Sequence, residues 1–297
     1  MKLGVMFANV GPFGQAEGLT HLAQTAESVG VESLWTVEHV VVPKGYQSPY
    51  PYSGDGKMPG PEESPIPDPL VWLSYAAAVT TKIKLGTGIL ILPQRHPVYV
   101  AKEVATLDQL SGGRAILGVG VGWLREEFDV LGVPFEERGA RTDESIQALR
   151  SLWSDGPSEF SGKHYRWAAL ESNPKPRQRP GVPVVIGGHT PGAAKRAARL
   201  GDGFFPARPD NLPELLAILR DECGKIGEVR LAGQRVALLT GEQAQEAFFR
   251  APDEQLDQAA AYPFMKPVFG PGVVFDATPE QRKQALRNQS LRDRFMR

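Results

Sequence analysis

The sequence predicts an α/β protein whose parallel strands curl toward a barrel. Three observations carry this reading. Strand-like and helix-like stretches alternate six times over about 220 residues, the pattern of parallel strands joined by crossover helices. The strand-like stretches are near-continuous runs of small and β-branched apolar residues, as strands covered on both faces require. No G-x-G-x-x-G follows the first strand, which favours a barrel over an open dinucleotide-binding sheet.

Residues 3–8 read as a first buried strand, broken by Gly11, Pro12 and Gly14. Leu19, Leu22, Ala23, Ala26 and Val29 then share one helical face, with Gly30 as the stop. Residues 33–37 form strand two, ending at Glu38-His39. Residues 41–69 are rich in Pro, Gly and Tyr and too long for a connector; such segments serve as lids or substrate loops. Asp68 caps the next helix, with Pro69 at its first position. Strand three covers 84–92, and a helix covers 97–110, closed by Ser111-Gly112-Gly113.

Strand four is the stretch from Arg114 through Gly118, Gly120 and Gly122 to Trp123, followed by a charged helix-forming segment. A helical region covers 142–153 and irregular chain 155–181. Strand five covers 182–188, a helix 191–200, strand six 203–206 and a helix 212–224. The character then changes. Residues 229–239 read as a hairpin and 242–250 as a short helix with Phe248 and Phe249. A Pro/Gly/aromatic loop spans 262–278, and Thr278 caps a basic last helix. The two further βα units of an eightfold barrel are not evident.

Bulk composition excludes several classes of function. The net charge of −1 gives no basic field for nucleic acid or acidic membranes. The single cysteine, Cys223, leaves no internal disulfide and no multi-cysteine metal site, and fits a reducing compartment. No metal centre is expected. No apolar run reaches membrane-spanning length, and no cleavable-signal pattern opens the chain, so a cytoplasmic protein is expected.

Candidate chemistry gathers at the carboxyl ends of the strands, where parallel α/β proteins bind ligands. Glycine contributes nothing to a strand interior, so the alternation of Gly118, Gly120 and Gly122 signals that something approaches the backbone closely. His39, after Glu38, could shuttle a proton or merely cap its strand. His96 and His189 also follow strands; His21 and His164 are weaker candidates. Gly187-Gly188-His189-Thr190 opens a helix and could bind phosphate, with Lys195 and Arg196 adding charge or simply solvated. Glu126 and Glu127 are adjacent on a helix, point in different directions and make a poor catalytic pair. No G-x-S-x-G, H-E-x-x-H or Walker motif supports hydrolytic chemistry.

These motifs resemble those of the luciferase-like flavin and deazaflavin oxidoreductases, over residues 1 to about 225. The carriers are Trp35-Thr36-Val37-Glu38-His39, Gly86-Thr87-Gly88 running on to Gln94-Arg95-His96-Pro97, and Leu107-Asp108-Gln109-Leu110-Ser111-Gly112-Gly113-Arg114 leading to Trp123. Ile186-Gly187-Gly188 and Gly201-Asp202-Gly203-Phe204 complete them. The resemblance implies a TIM-like (β/α)8 barrel. It implies hydride transfer between coenzyme F420, a deazaflavin, and a small organic substrate, with FMN and monooxygenation as the alternative. It places His39 and Glu38 at the reaction. Thr87, Gly88, Gly118, Gly120 and Gly122 would lie beside the cofactor ring, and Gly187, Gly188 and His189 near its phosphate. Homodimerisation is compatible with it.

Residues 226–297 depart from that family and resemble the N-terminal part of a bacterial sterol 14α-demethylase, a cytochrome P-450. The carriers are Leu231-Ala232-Gly233-Gln234-Arg235-Val236, Ala247-Phe248-Phe249-Arg250-Ala251 and Ala261-Tyr262-Pro263-Phe264-Met265. The resemblance implies that Tyr262, Phe264, Met265 and Phe269 match pocket positions of that enzyme. No cysteine follows Cys223 to ligate a haem, so haem is not expected. The expected organisation is a chimera: a partial barrel over 1–225, incomplete after its sixth unit, and a foreign segment over 226–297. It leaves open whether the product is active or an inert fusion.

Overall fold

The computed structural model describes residues 3–208 and 210–223, together with two strands at 226–231 and 234–239. The chain divides into a unit of residues 2–238 and a second unit of Met1 with 239–297. The expected helix at 242–250, the loop at 262–278 and the last helix lie outside the described residues.

The strands are β1 (Gly4–Val5), β2 (Ser33–Thr36), β3 (Lys84–Thr87), β4 (Leu90–Ile91), β5 (Ala115–Gly120), β6 (Ser158–Ser161), β7 (Arg166–Leu170), β8 (Val184–Gly188), β9 (Gly203–Pro206), β10 (Ile226–Leu231) and β11 (Gln234–Leu239). The helices are α1 (Ala16–Ser28), α2 (Pro69–Val79), α3 (Pro97–Ser111), α4 (Arg125–Leu131), α5 (Arg138–Trp153), α6 (Pro191–Leu200) and α7 (Leu212–Cys223).

One parallel sheet runs β1-β2-β3-β5-β8-β9, with β4 also paired to β5. Its register sets Leu34 beside Leu85, Leu85 beside Ala115, Leu117 beside Val184 and Ile186 beside Phe204. Each of the sequence's six βα units therefore contributes a strand, in chain order. That order is the one right-handed crossovers produce. The sheet curls into a half-barrel, and Trp35 of β2 stacks on Phe205 of β9 across it, with ring centroids 5.2 Å apart. The helix-facing core holds Leu73, Leu85, Val104, Leu117, Leu149, Val184 and Ala194, all buried. Each buried leucine or valine contributes about 1.5–3 kcal/mol.

The barrel does not close among the described residues. β10 and β11 pair with each other as the expected hairpin but form a separate two-stranded sheet. β1 and β9 thus remain edges of the main sheet. This overturns the reading of residues 3–8 as a buried strand. β1 has two residues, and Leu3 and Phe7 are more than half exposed. A strand with one neighbour gains only half the pairing and burial of an interior one.

Three further differences from the sequence reading have local causes. Strand three is interrupted at Gly88 and Ile89, between β3 and β4. The irregular 155–181 segment contains the antiparallel β6–β7 hairpin, with Trp167 stacked on Phe160. α5 starts at Arg138, whose guanidinium sits 3.8 Å from the centroid of the Phe135 ring. The Asp68 cap is as expected: its Oδ1 accepts from Leu70 N and Val71 N at 2.9 and 3.0 Å, worth about 1 kcal/mol.

Candidate functional site

The glycine pattern has an internal explanation. A Cβ on Gly118 would lie 1.9 Å from the Thr87 carbonyl oxygen, and one on Gly86 2.6 Å from the Trp35 ring. A Cβ on Gly120 or Gly187 would meet the Ile89 side chain at 2.6 or 2.4 Å. Gly122, at φ 81°, has Phe128 and Ile91 within 2.8 Å of its would-be Cβ. The groups that approach these glycines are the protein's own side chains and backbone. Thr87 is locked in the same way, its Oγ1 donating to Gly118 O at 2.6 Å. Gly88 donates its N–H to Thr36 O at 2.6 Å. Gly188, at φ 138°, and His189 lead into α6, whose first turn is capped by Thr190.

Glu38 and His39 leave β2 in opposite directions, as successive residues of an extended chain do. The Glu38 carboxylate is buried. It accepts from Ile91 N at 2.5 Å and from Arg95 Nε and Nη2 at 2.9 and 2.5 Å. Burial pushes its carboxyl up, against the pull of Arg95. Arg95 also bonds Asp68 at 2.6 Å, so Glu38 ties the ends of β2 and β4 to the cap of α2. Its oxygens are committed to structure.

His39 meets a residue that pairwise reading of the sequence passed over. Glu127, in the first turn of α4, is fully buried, and its Oε2 lies 3.1 Å from His39 Nδ1. Its Oε1 accepts from Val40 N at 2.6 Å and Val41 N at 3.3 Å. Glu126 points the other way and accepts from Gln47 N and Ser48 N at 2.8 and 3.0 Å. Despite some desolvation, hydrogen bonds from Ser48 and Gln47 hold the Glu126 carboxyl at about 2. The two acids do diverge, and each holds a different part of loop 41–69.

That loop adds rings around Trp123. Tyr46, Tyr50 and His39 each meet Trp123 edge-on, at centroid distances of 5.5, 5.1 and 5.6 Å. Burial and the neighbouring Tyr50 push the Tyr52 phenol up, while Arg208 after β9 pulls it down. The loop thus reaches from β2 toward β9 over the strand ends.

Three side chains that follow strand carboxyl ends keep buried polar atoms without a hydrogen-bond partner in the protein: Gln94 at Nε2 and Oε1, His189 at both ring nitrogens, and Arg208 at Nε, although Arg208 Nη2 donates to Asp210 at 2.6 Å. The nearest carboxylate to His189 is Asp210, at 3.6 Å. His96, by contrast, caps α3 and packs edge-on against Tyr165. Among the described residues no three His, Cys, Asp or Glu side chains group as metal ligands, and no helix is long and apolar enough to cross a membrane.

A parallel half-barrel with a histidine paired to a buried carboxylate at its strand ends defines an α/β barrel-type protein. The sequence model of the luciferase-like monooxygenases matches residues 1–295, and the chain belongs to this family. An uncharacterized protein of Mycobacterium tuberculosis is 36% identical over 224 residues, covering 72% of this chain and 77% of that protein. Monooxygenase RslO1 from Streptomyces bottropensis superposes with a TM-score of 0.62 at 31% identity, over 75% of this chain and 65% of that one. An F420-dependent secondary alcohol dehydrogenase, solved with an F420–acetone adduct, shares the fold at 24% identity and a TM-score of 0.58. The match covers 74% of this chain and 64% of that enzyme, so this chain spans under two thirds of either solved relative. Sterol 14α-demethylase of Mycobacterium tuberculosis is 58% identical over 82 residues, which are 28% of this chain and 18% of that enzyme. The chain is a chimera of luciferase-like and demethylase-like sequence, and its fold is an incomplete luciferase-like barrel.

Proposed function

We propose that this chain is an oxidoreductase transferring a hydride between coenzyme F420 and a small organic substrate held under loop 41–69. His39 gives or takes the accompanying proton. The observation that carries this reading is the His39–Glu127 pair at the strand ends of a luciferase-like half-barrel. When bound, the deazaflavin supplies the hydride-carrying ring; the rest falls on this chain's residues. Gln94 fits such a ring, because its buried amide offers a donor and an acceptor that no protein group uses. Gly187 and Gly188 beside the start of α6 suit an anionic tail, which would compete with Asp210 for His189 and Arg208. Trp123, Tyr46 and Tyr50 keep water from His39. Glu38 acts by fixing Arg95 and the strand ends rather than at the reacting atoms. We take the barrel part as residues 1–225 and the demethylase-like part as 226–297.

A second reading is supported by the 31% identity to a monooxygenase: an FMN-dependent oxygenation at the same site. The open edges β1 and β9 support a third, an inactive fusion. The purified full chain distinguishes them when mixed with oxidised F420 and a panel of alcohols under nitrogen, following the cofactor's absorbance. Reduction of F420 is expected with at least one alcohol, falling about 10²–10⁴-fold in His39→Ala. An oxygenated organic product formed in air with reduced FMN in its place, beyond what free reduced FMN gives without the protein, would establish the second reading. No turnover with either cofactor would establish the third.

A further inference from the structure

We infer that Glu127 is the positioning residue of His39: it fixes the proton on Nδ1 and leaves Nε2 as the nitrogen that exchanges a proton with substrate. The inference rests on the role proposed above for His39.

The geometry is restrictive. Glu127 is fully buried, and among the described residues no lysine or arginine pairs with it. Oε1 already accepts two backbone N–H groups, from Val40 and Val41. Oε2 faces His39 Nδ1 at 3.1 Å. An ionised carboxylate only accepts hydrogen bonds, so the ring must present an N–H at Nδ1. A neutral imidazole carries one N–H, and its lone pair then lies on Nε2. Trp123, edge-on at 5.6 Å, restricts the other side of the ring. Glu38 cannot replace Glu127, because its oxygens are taken by Arg95 and Ile91 N.

This arrangement has a chemical consequence. A proton taken up at Nε2 makes the ring an imidazolium, a cation in a buried place. The Glu127 carboxylate is the adjacent counter-charge, so the protonated ring is formed without an unpaired buried charge. The same carboxylate holds the start of loop 41–69 through Val40 and Val41. Movement of that root would therefore disturb the ring.

The test is a ring-nitrogen NMR spectrum of full-length protein labelled with ¹⁵N-histidine. The chain has five histidines, and His39→Ala identifies the signal of interest. In wild type, the neutral His39 ring is expected with its proton on Nδ1. Glu127→Gln keeps the shape and the acceptor for Val40 and Val41 but turns an amide N–H toward Nδ1. The ring is then expected to switch its proton to Nε2. In the F420 assay kcat should fall roughly 10²-fold in this variant, with KM within about threefold, as expected for loss of proton-transfer geometry. Wild-type His39 protonated only at Nε2, or a tautomer unchanged in Glu127→Gln, overturns the inference. So does a loss confined to KM. Because the wild-type tautomer is read without Glu127→Gln, a misfolded Glu127→Gln does not shield the claim. A His39→Ala enzyme with full turnover would instead sink the proposed role of His39, whatever the spectrum shows.

Discussion

The two ends of the half-barrel differ in how completely their polar groups are paired within the protein. At the amino ends of the strands they are paired within the protein. Arg114, before β5, donates to the carbonyls of Ser111, Ala77, Thr80 and Ile83 at 2.6–3.0 Å and to Thr80 Oγ1 at 2.9 Å. Asp108 accepts from Gln178 N and Nε2 at 2.9 and 2.7 Å. Glu27 accepts from the N–H groups of Thr81, Lys82 and Ile83. At the carboxyl ends Gln94, His189 and Arg208 keep buried atoms that no protein group satisfies. An unpaired buried polar group costs about 1–3 kcal/mol, a cost that a ligand or water meeting it would offset. The floor is braced throughout, whereas the rim is braced at Glu38 and Glu127 and left unpaired at Gln94.

Breaking the floor should cost the most stability. Arg114→Ala removes a guanidinium that closes the carboxyl end of α2, leaving several carbonyls without a donor. A loss of about 3 kcal/mol is expected, or roughly 6–12 °C in Tm, with cofactor affinity unchanged at a permissive temperature. Calorimetry with a parallel binding titration checks both halves. Acid should act on the same floor more weakly. Despite a desolvation penalty, hydrogen bonds from Ile83, Lys82 and Thr81 hold the Glu27 carboxyl at about 2 against an ordinary 4.5. A depressed carboxyl contributes stability that is present above its unfolded value. That contribution is lost as pH falls from about 4.5 to about 2. After allowance for solvent screening it amounts to roughly 1–2 kcal/mol. Urea midpoints of wild type and Glu27→Gln should converge across that window; parallel midpoints would refute the assignment.

Much of this contrast was legible in the sequence, and the part that was not has a physical cause. Six βα units, the Asp68-Pro69 helix start and the 229–239 turn were readable because local spacing and capping chemistry determine them. The open edges among the described residues agree with a sequence in which seventh and eighth units are not evident, yet residues 3–8 still read as a buried strand. Pattern alone does not reveal that a strand lacks a neighbour. The Gly118-Gly120-Gly122 alternation points in sequence to a ligand at the strand end, whereas the groups that approach these positions are the protein's own. The approaching groups, Ile89, Thr87, Ile91 and Phe128, come from elsewhere in the sheet or from α4, which a strand-by-strand reading does not assemble. Comparison with its neighbour Glu126 alone hides the role of Glu127. Its partner is 88 residues away. An acid in the first turn of the helix after a glycine-rich strand end was the available signal. Gln94 carried none, since an unpaired amide becomes visible only when its surroundings are known. Arg114 was legible as a motif, but not as a brace for α2.

Rim substitutions should move stability least and binding most. Gln94→Leu removes two unpaired buried polar atoms, so it should leave the melting temperature unchanged or slightly raised, within about 1 kcal/mol. The same change should weaken the cofactor at least about tenfold, the loss of one or two buried hydrogen bonds. Titrating F420 into the full-length wild-type chain and this variant, by calorimetry, tests the central claim most directly. The account predicts saturable one-to-one binding by wild type and markedly weaker binding by a Gln94→Leu protein that melts no lower. No binding by cooperatively folded wild type, or equal affinity in the two, would contradict it.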